Sequence, residues 1–462
     1  MSSTELPRTA TSMAAAVNAG ECRARDLVDA ALTRAAALRD LNPFVLLDPE
    51  GARAAAEAAD AATNPTPLRG VPIAIKDMTP TRGHLTTRGS WTTGDWVADF
   101  DPVIVQRLKA AGAVIIGKTT TPEFAYSGFT HSPRWGITRN PHDPERTPGG
   151  SSGGSGCVVG AGCVPLAEGT DMGGSVRIPA AFSGCVGLKP SIGRIPMDIL
   201  PTVFDNLSHF GPLAATIDDA ALFLAVTQGS HDADIQSQPN PDPITTPVAQ
   251  DVRGMRFALS IDLGYYHVDP EVARQVEAAA DALAARGAIV EHVDLAWTRA
   301  LNDGWFELWG VMLAAAFGEV LPQWREKMDP GLLKLMDRGL AMDAVAYKRL
   351  EGLRTGMWHD LANLFTRYDA LLCPTCAVPA PKIDAPEDEF DRDHSDGRYA
   401  GMDVTSIFNL VPQCPALSVP VGTTDAGLPV GLQIIARRFA DATALRIGKA
   451  VEADFPPLWD RF

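Results

Sequence analysis

The stretch that decides the interpretation of this chain is residues 149–196, GGSSGGSGCVVGAGCVPLAEGTDMGGSVRIPAAFSGCVGLKPSIGRIP. Its first part is rich in glycine and serine, which is the usual composition of a flexible linker. The glycines are interleaved, however, with aliphatic residues such as Val158, Leu166, Val176 and Leu188. A solvated linker would not carry so many aliphatic side chains, and the stretch is therefore predicted to lie inside a folded core.

The composition predicts a large globular protein and argues against several kinds of partner. Of the 462 residues, 46% are hydrophobic and 21% are charged. The formal net charge of -16 repels phosphate backbones and anionic lipids, so we expect no direct contact with nucleic acid or with a membrane. The N-terminus does not resemble a signal peptide, and no apolar run approaches the roughly 18 residues of a membrane span. The expected location is the cytoplasm.

The pattern of apolar residues predicts an α/β protein. Residues 1–67 are predicted to form an N-terminal helical part. Residues 70–76 and 112–117 are typical of short buried strands, with residues 101–111 between them typical of a helix. Residues 236–247, QSQPNPDPITTP, are the best candidate for a linker or a surface excursion.

Two local patterns compete for the assignment of a functional site. Residues 112–119, GAVIIGKT, match GxxxxGK[ST], but the residues between the glycines are those of a strand and not of a phosphate cradle. Residues 150–154 match GxSxG and would make Ser152 a nucleophile, yet a turn-rich loop precedes them instead of a strand. The acid and the base would then be drawn from Asp360 and His394, and neither has a recognisable setting.

A third set of residues contains the groups that acyl transfer requires. Lys76 ends an apolar strand, where burial could leave it as a neutral amine, although an ion pair with Asp77 is an equal alternative. Ser175 follows two glycines, so the amides of residues 172–175 either converge on an oxyanion or form only a small-residue turn. Together with Ser151 of the glycine loop, these residues supply a nucleophile, an amide cradle and a base.

The cysteines do not indicate a metal or disulfide framework. Cys373 and Cys376 form a lone CxxC, and no other Cys or His spacing supplies a second pair of metal ligands. We interpret them as buried, reduced thiols at the end of a strand.

Residues 149–196 closely resemble the defining segment of the amidase signature family. The flanking segments GVPIAIKD, GAVIIGKTTTPEFAYSGFT and RNPHDPERTPGGSSGG, and the later CPALSVPVG and GLPVGLQIIA, are similar to family segments in the same order. The similarity is strong over residues 68–211 and looser elsewhere. It implies a single α/β domain over residues 1–462, with a mixed central β-sheet covered by helices and with residues 236–247 as a surface loop.

The resemblance implies a Ser/cis-Ser/Lys triad and no metal or cofactor. Ser175 would be the nucleophile, Ser151 the bridging serine after a cis Gly150–Ser151 peptide, and Lys76 the base. The amides that would hold the oxyanion are those of Met172, Gly173, Gly174 and Ser175. The residues that would orient the loop are Ser152, Asp171 and Arg177. The apolar segments 124–129 and 301–317 could line a pocket, with substrate contacts at Ala125, Tyr126 and Ser127.

Two positions depart from the common family pattern. Glu168 stands where many members have an aliphatic residue, and Thr120 replaces a frequent asparagine. We expect neither residue to touch the triad, so both departures should affect the choice of substrate and leave the reaction unchanged.

The function that the resemblance implies is hydrolysis of a small carboxylic amide through an acyl-enzyme, with aryl amides and carbamates as candidate substrates. One alternative is the glutaminase component of a tRNA-dependent amidotransferase, in which Asp403 or Arg398 would hold the glutamine. Another is a non-catalytic binding protein of the same fold. The candidate assembly is a homodimer.

Overall fold

The computed structural model describes residues 6–239 and 243–461. Residues 240–242 of the expected surface loop lie outside this range, and the remainder of residues 236–247 forms neither helix nor strand. The α-helices are α1 Ala10–Ala19, α2 Ala24–Ala37, α3 Pro49–Ala61, α4 Val103–Ala110, α5 Gly153–Gly160, α6 Arg177–Ser183, α7 Ile217–Thr227, α8 Pro270–Ala285, α9 Ala300–Phe317, α10 Leu321–Trp324, α11 Pro330–Ala341, α12 Ala344–Leu364 and α13 Asp441–Glu452. The strands are β1 Phe44–Leu47, β2 Pro72–Lys76, β3 Val114–Thr119, β4 His131–Ser132, β5 Gly136–Ile137, β6 Leu166–Asp171, β7 Val186–Lys189, β8 His209–Ala214, β9 Arg256–Leu259, β10 Ile289–His292, β11 Ala370–Pro374, β12 Ala416–Thr423 and β13 Pro429–Ala436.

One large mixed sheet organises the fold. Its 11 strands follow the order β1-β3-β2-β6-β8-β7-β12-β13-β11-β9-β10. Strand β2 runs parallel to β3 and β6, whereas β8, β7, β12 and β13 are joined by antiparallel pairings. Helices including α6, α8 and α13 pack on the sheet. The predicted α/β fold with a mixed central sheet covered by helices is confirmed.

Strands β2 and β6 bring two parts of the site to one edge of the sheet. All five residues of β2 are buried, as expected of a strand flanked by parallel neighbours. The two strands are parallel, and Ala74 pairs with Ala167. The end of β2 at Lys76 therefore lies level with the last residues of β6, where the carboxyl ends of parallel strands commonly form binding sites.

Close packing of two short helices explains the small residues after the glycine-rich loop. All eight residues of α5 are buried, so this stretch is not a linker. A Cβ atom on Gly156 would come within 2.9 Å of Pro179, and one on Gly160 within 2.1 Å of the Ser183 carbonyl oxygen, both on α6. Larger side chains would force α5 away from α6 and would displace the loop that precedes α5.

The N-terminal part is not entirely helical, which corrects the expectation for residues 1–67. Strand β1 lies at the edge of the sheet and pairs antiparallel with β3. The pairing partner β3 lies about 70 residues further along the chain, so the pattern of apolar residues near β1, which lies between alanine-rich helices, could not indicate this strand.

One helical stretch of the described residues, Ala300–Lys327, is long and apolar enough to cross a membrane by length and composition alone. It contains α9, which packs against α11. Trp305, Trp309 and Phe317 of α9 line a cavity of the protein, so part of the apolar surface of this helix faces the protein interior.

Candidate active site

A cavity of about 620 Å³ lies at the edge of the sheet where β2 and β6 end. Ser151 and Ser175 line the same cavity, so the structure brings both predicted serines to one space. Most of the wall is apolar, and its aromatic residues include Phe124, Tyr126, Phe129, Trp305, Trp309 and Phe317. A cavity of this size and character suits a small, largely apolar organic ligand.

The segment expected to contact substrate forms one wall of this cavity. Ala125, Tyr126 and Ser127 all line it, and the Tyr126 ring stacks on Trp309 with ring centroids 5.3 Å apart. Phe124, Ala125 and Ser127 have φ angles of 50°, 60° and 100°, a region that non-glycine residues rarely adopt. Such backbone conformations persist where the surrounding structure requires them, and they are frequent at ligand-binding segments.

Lys76 is directed at Ser151. Its side chain is completely buried, and its Nζ lies 2.6 Å from Ser151 Oγ and 2.9 Å from Thr170 Oγ1. The predicted alternative, an ion pair between Lys76 and Asp77, does not form, because Asp77 lies beside Lys118 instead. The amine therefore has hydroxyl groups as its neighbours.

Burial determines the protonation of Lys76. Removing the ammonium from water lowers the pKa of Lys76 well below the ordinary lysine value, and the negative charges of Glu168 and Asp171 oppose this shift. A lysine in this setting is available as a neutral amine, which can accept a proton from a neighbouring hydroxyl.

Ser151 and Ser152 have different surroundings. The peptide between Gly150 and Ser151 is cis. Ser152 is buried, and its backbone N–H donates to the Ser175 carbonyl oxygen at 3.1 Å. The Ser152 hydroxyl donates to the Thr170 carbonyl oxygen at 3.3 Å. Ser152 thus ties the glycine loop to the segment that carries Ser175.

The residues of the GxSxG alternative are not assembled. Asp360 accepts a hydrogen bond from Trp297 Nε1, and the His394 ring stacks on His267. Neither side chain has a hydrogen bond to Ser152 among the described residues. The motif match at Ser152 does not correspond to a Ser/His/Asp site.

The backbone after β6 is oriented by hydrogen bonds to its carbonyl groups. Trp305 Nε1 donates to the Met172 carbonyl at 3.0 Å, and Thr405 Oγ1 donates to the Gly173 carbonyl at 2.8 Å. In a trans peptide the following N–H points the opposite way, so each bond fixes the direction of one amide. The N–H of Gly174, which follows the Gly173 carbonyl, donates to Asp171 Oδ1 at 2.8 Å.

This arrangement corrects the predicted cradle at one position. Since the Gly174 amide is taken by Asp171, it is not available to an oxyanion. In the described part of the chain, the amides of Met172, Gly173 and Ser175 have no hydrogen-bond acceptor. These three N–H groups are the remaining candidates for anion binding next to Ser175.

Asp171 and Arg177 form a buried brace beneath the Ser175 loop. Both side chains are fully buried, and Arg177 binds the carboxylate through Nη2 at 2.8 Å and Nε at 3.0 Å. Burial alone would raise the pKa of Asp171, but the charge and hydrogen bonds of Arg177 outweigh it and hold that pKa far below the usual range. Arg177 also binds Gln433 and Asn409, which attaches the loop to the C-terminal half of the chain.

Two neighbours of Lys76 were missed or misjudged from the sequence. Thr170 contacts the amine, and its place next to Asp171 in GTDMGGS was the available signal. Glu168 was expected not to touch the triad, which is wrong: its Oε2 accepts the backbone N–H of Lys76 at 2.9 Å. Glu168 is fully buried behind the strand and does not line the cavity.

The residues weighed for glutamine binding lie apart. Asp403 lines the cavity, but its Oδ1 accepts the backbone N–H of Thr405 at 3.0 Å and lies 2.6 Å from the Thr405 hydroxyl. Arg398 is exposed and pairs with Asp262 at 3.0 Å. Arg398 is not part of the cavity wall.

One group of described residues has the composition of a metal site. His267, His394 and Asp396 place their ligand atoms within 4.8 Å of one another at the surface. The two imidazole rings are nearly parallel, with an interplanar angle of 15° and centroids 3.5 Å apart. A metal ion lies in the plane of each ring that binds it, so the two rings as oriented cannot bind the same ion. Cys373 and Cys376 of the CxxC pair are buried free thiols, and Cys373 lies in β11 near its end, as interpreted from the sequence.

The fold is that of an amide-hydrolysing enzyme, and comparison with known proteins identifies the family. A family model described as amidase matches residues 26–445. The crystal structure of a bacterial aryl acylamidase of the amidase signature family has a TM-score of 0.90 at 28% identity, covering 98% of this chain and 97% of that chain. The chain therefore belongs to the amidase signature family, and it is an amidohydrolase acting on amide C–N bonds.

Relatives of the chain have two different functions. An acylamidase of Rhodococcus erythropolis is 36% identical over 464 residues, which cover 97% of this chain and 95% of that protein. A glutamyl-tRNA(Gln) amidotransferase subunit from Roseiflexus sp. (strain RS-1) is 36% identical over 470 residues, covering 94% of this chain and 93% of that protein. Overall identity thus does not separate the two functions, and the residues of the cavity have to be considered.

Proposed function

We propose that this chain hydrolyses small amides that carry an aryl or other apolar group, with Ser175 as nucleophile, Ser151 as proton bridge and Lys76 as base. The contact that supports this most strongly is the 2.6 Å approach of the buried Lys76 Nζ to Ser151 Oγ, at the wall of the cavity that Ser175 also lines. Burial keeps Lys76 available as a free amine, as a base requires.

In the first half of the proposed reaction, Ser175 Oγ attacks the carbonyl carbon of the amide. Its proton passes to Ser151 Oγ while the Ser151 proton passes to Lys76 Nζ. The amides of Met172, Gly173 and Ser175 would donate to the oxyanion of the tetrahedral intermediate. When the C–N bond breaks, the leaving amine takes a proton from Ser151, and the Lys76 ammonium reprotonates Ser151.

In the second half, water attacks the ester of Ser175. The proton of the water passes through Ser151 to Lys76. When the intermediate collapses, that proton returns through Ser151 to Ser175 Oγ, which releases the carboxylic acid and restores the Ser175 hydroxyl. Ser152 and the Asp171–Arg177 brace would act by holding the Ser175 loop in place. No step in this scheme requires a metal or a cofactor.

The cavity wall favours an apolar amide over glutamine as substrate. A glutamine would need a cation for its carboxylate, and the exposed Arg398 pairs with Asp262 away from the cavity. The basic residues of the wall are Lys334 and Arg338, and Arg338 is paired with Glu307. Several aromatic side chains, among them Trp305 and Trp309, also line the wall, which supports binding of aryl groups.

We further propose that the chain is one domain that acts without nucleic acid, in the cytoplasm, either alone or as a homodimer. The aryl acylamidase resemblance over nearly the whole chain supports the action of a lone protein. Assays of the purified chain on glutamine and on anilides separate this proposal from the glutaminase alternative. Glutamine turnover that requires added partner proteins, without anilide turnover, would contradict it.

The proposed nucleophile is tested by trapping the acyl-enzyme. Mass spectrometry of the protein during anilide turnover should show one acyl group on the peptide that contains Ser175. Ser175→Ala should lose that adduct and at least about 10³-fold in kcat, because no acyl-enzyme can form.

The matched control is Ser230→Ala, which changes an exposed serine after α7 that does not line the cavity. It should keep both the adduct and the activity. An acyl group on Ser152, or normal turnover by Ser175→Ala, would refute the assignment and would favour the other motif or a non-catalytic role.

A further inference from the structure

Glu168 is a fully buried carboxylate next to the strand that carries Lys76, and burying a charged group costs free energy unless other groups compensate for it. Glu168 belongs to β6, and its carboxylate reaches across to β2 and the turn after it. Oε2 accepts the backbone N–H of Lys76 at 2.9 Å, and Oε1 accepts the Thr79 hydroxyl at 2.9 Å. Both Glu168 and Thr79 are completely buried. Each carboxylate oxygen is therefore used to hold the end of the strand that carries the proposed base.

The other charged groups around Lys76 and Glu168 interact with one another, and all of them except the half-buried Arg88 are buried. Asp77 is the salt-bridge partner of Lys118, with 3.5 Å between Oδ1 and Nζ. The positive charge of Arg88 attracts Asp77 and repels Lys118. Asp171, which faces Lys76 from the end of β6, is bound by Arg177 as described above.

Within this cluster, the amine of Lys76 and the carboxylate of Glu168 are left without a salt-bridge partner among the described residues. The two groups lie on adjacent strands and influence each other through their charges. An anionic carboxylate near a buried amine favours the ammonium form, which opposes the effect of desolvation.

We propose that Glu168 is a positioning residue that holds the end of β2 in place and sets the charge state of Lys76, an inference that rests on the proposed role of Lys76 as base. Without a compensating charge, a fully buried lysine would be a free amine but a weak proton acceptor. With Glu168 beside it, the amine remains a stronger base, and it protonates at higher pH. Glu168 thereby affects both the strength of the base and the pH at which activity is lost.

Burial acts on Glu168 in the opposite sense. Desolvation raises the pKa of Glu168, and the hydrogen bonds from Thr79 and Lys76, together with the charges of Lys76 and Lys118, oppose that rise. Changing the hydrogen bonds of Glu168 should therefore also change the pKa of Lys76, although Glu168 itself does not line the cavity.

The test is the pH dependence of kcat/KM for anilide hydrolysis by Glu168→Gln. Glutamine preserves the size of the side chain and an acceptor oxygen but removes the charge. The pKa of Lys76 should then fall, so the acid limb of the profile should shift to lower pH by about one unit or more. The plateau at higher pH should fall by up to about tenfold because the base is weaker, while KM should not change.

The matched control is Asp219→Asn, which also neutralises a fully buried carboxylate. Asp219 accepts hydrogen bonds from the backbone and hydroxyl of Thr11 and does not line the cavity. This variant should lower the thermal stability but leave the acid limb where it is in the unmodified enzyme. A shift of the acid limb in Asp219→Asn would show that any buried carboxylate has this effect, and would overturn the specific role of Glu168.

A milder variant covers the case in which Glu168→Gln does not fold. Thr79→Val removes one hydrogen bond to Glu168, so the carboxylate should hold its proton to higher pH, and the acid limb should shift in the same direction by a smaller amount. An unshifted acid limb in an active Glu168→Gln or Thr79→Val enzyme overturns the role of Glu168. Full activity of a Lys76→Met enzyme would instead overturn the proposed function itself, so the two failures can be told apart.

Discussion

Two lysines on neighbouring strands, Lys76 of β2 and Lys118 of β3, are both completely buried, yet their partners differ. Lys118 Nζ lies 2.9 Å from Thr86 Oγ1 and 3.5 Å from Asp77 Oδ1. Lys76 Nζ is surrounded by the hydroxyls of Ser151 and Thr170, and Ser151 lines the cavity.

The difference shows that burial alone does not make a lysine a base. Desolvation lowers the pKa of both amines. At Lys118 the adjacent Asp77 supplies a counter-charge within the same hydrogen-bonded group, and no cavity is within its reach among the described residues. At Lys76 the nearest groups are hydroxyls that can exchange protons, which is what catalysis needs. We therefore expect one lysine to support activity and the other to support stability.

The largest expected effect comes from replacing each lysine by methionine. Lys76→Met should lower kcat/KM for anilide hydrolysis by about 10² to 10⁴-fold, because the base is lost. It should lower the free energy of unfolding less than Lys118→Met does, because Lys76 makes no salt bridge and the Glu168 carboxylate keeps its hydrogen bonds from Thr79 and from the backbone of residue 76. Enzyme kinetics and urea unfolding on the same preparations measure both quantities.

Lys118→Met is the matched variant, with the opposite expectation. It leaves Asp77 buried without its cation, which should lower the free energy of unfolding by about 3 kcal/mol or more. The folded fraction should retain kcat/KM close to that of the unmodified enzyme. If Lys118→Met abolished turnover in a folded protein, the division into a catalytic and a structural lysine would be wrong.

A smaller effect is expected from the threonines that contact the two amines, each at 2.9 Å. Thr170→Val removes a hydrogen bond from Lys76 and should lower kcat/KM by about tenfold or less. Thr86→Val removes the corresponding bond from Lys118 and should lower the free energy of unfolding by about 1 to 2 kcal/mol without changing kcat/KM. Equal kinetic effects of the two substitutions would count against the comparison.

Much of this site could be predicted from the sequence because its parts are carried by local motifs. Lys76, Ser151 and Ser175 lie in separate segments whose order along the chain is recognisable, and the structure brings these segments to one edge of the sheet. The strand at residues 112–117 was also predictable, since its residues are apolar without interruption.

Other features depend on contacts between distant segments and could not be predicted in this way. The orientation of the Gly174 amide depends on Asp171 and on a threonine more than 200 residues away, since Thr405 binds the Gly173 carbonyl. The contact of Glu168 with Lys76 depends on the register between β6 and β2. Strand β1 depends in the same way on pairing with β3.

The role of Lys76 as base is tested by the pH profile of kcat/KM for anilide hydrolysis, measured for the unmodified enzyme, Lys76→Met and Lys118→Met. As pH falls, the Lys76 amine becomes protonated and can no longer accept a proton, so the unmodified enzyme should show an acid limb. We expect this limb to persist in Lys118→Met and to be absent from the residual activity of Lys76→Met. The same acid limb in Lys76→Met would contradict the role of Lys76 as base.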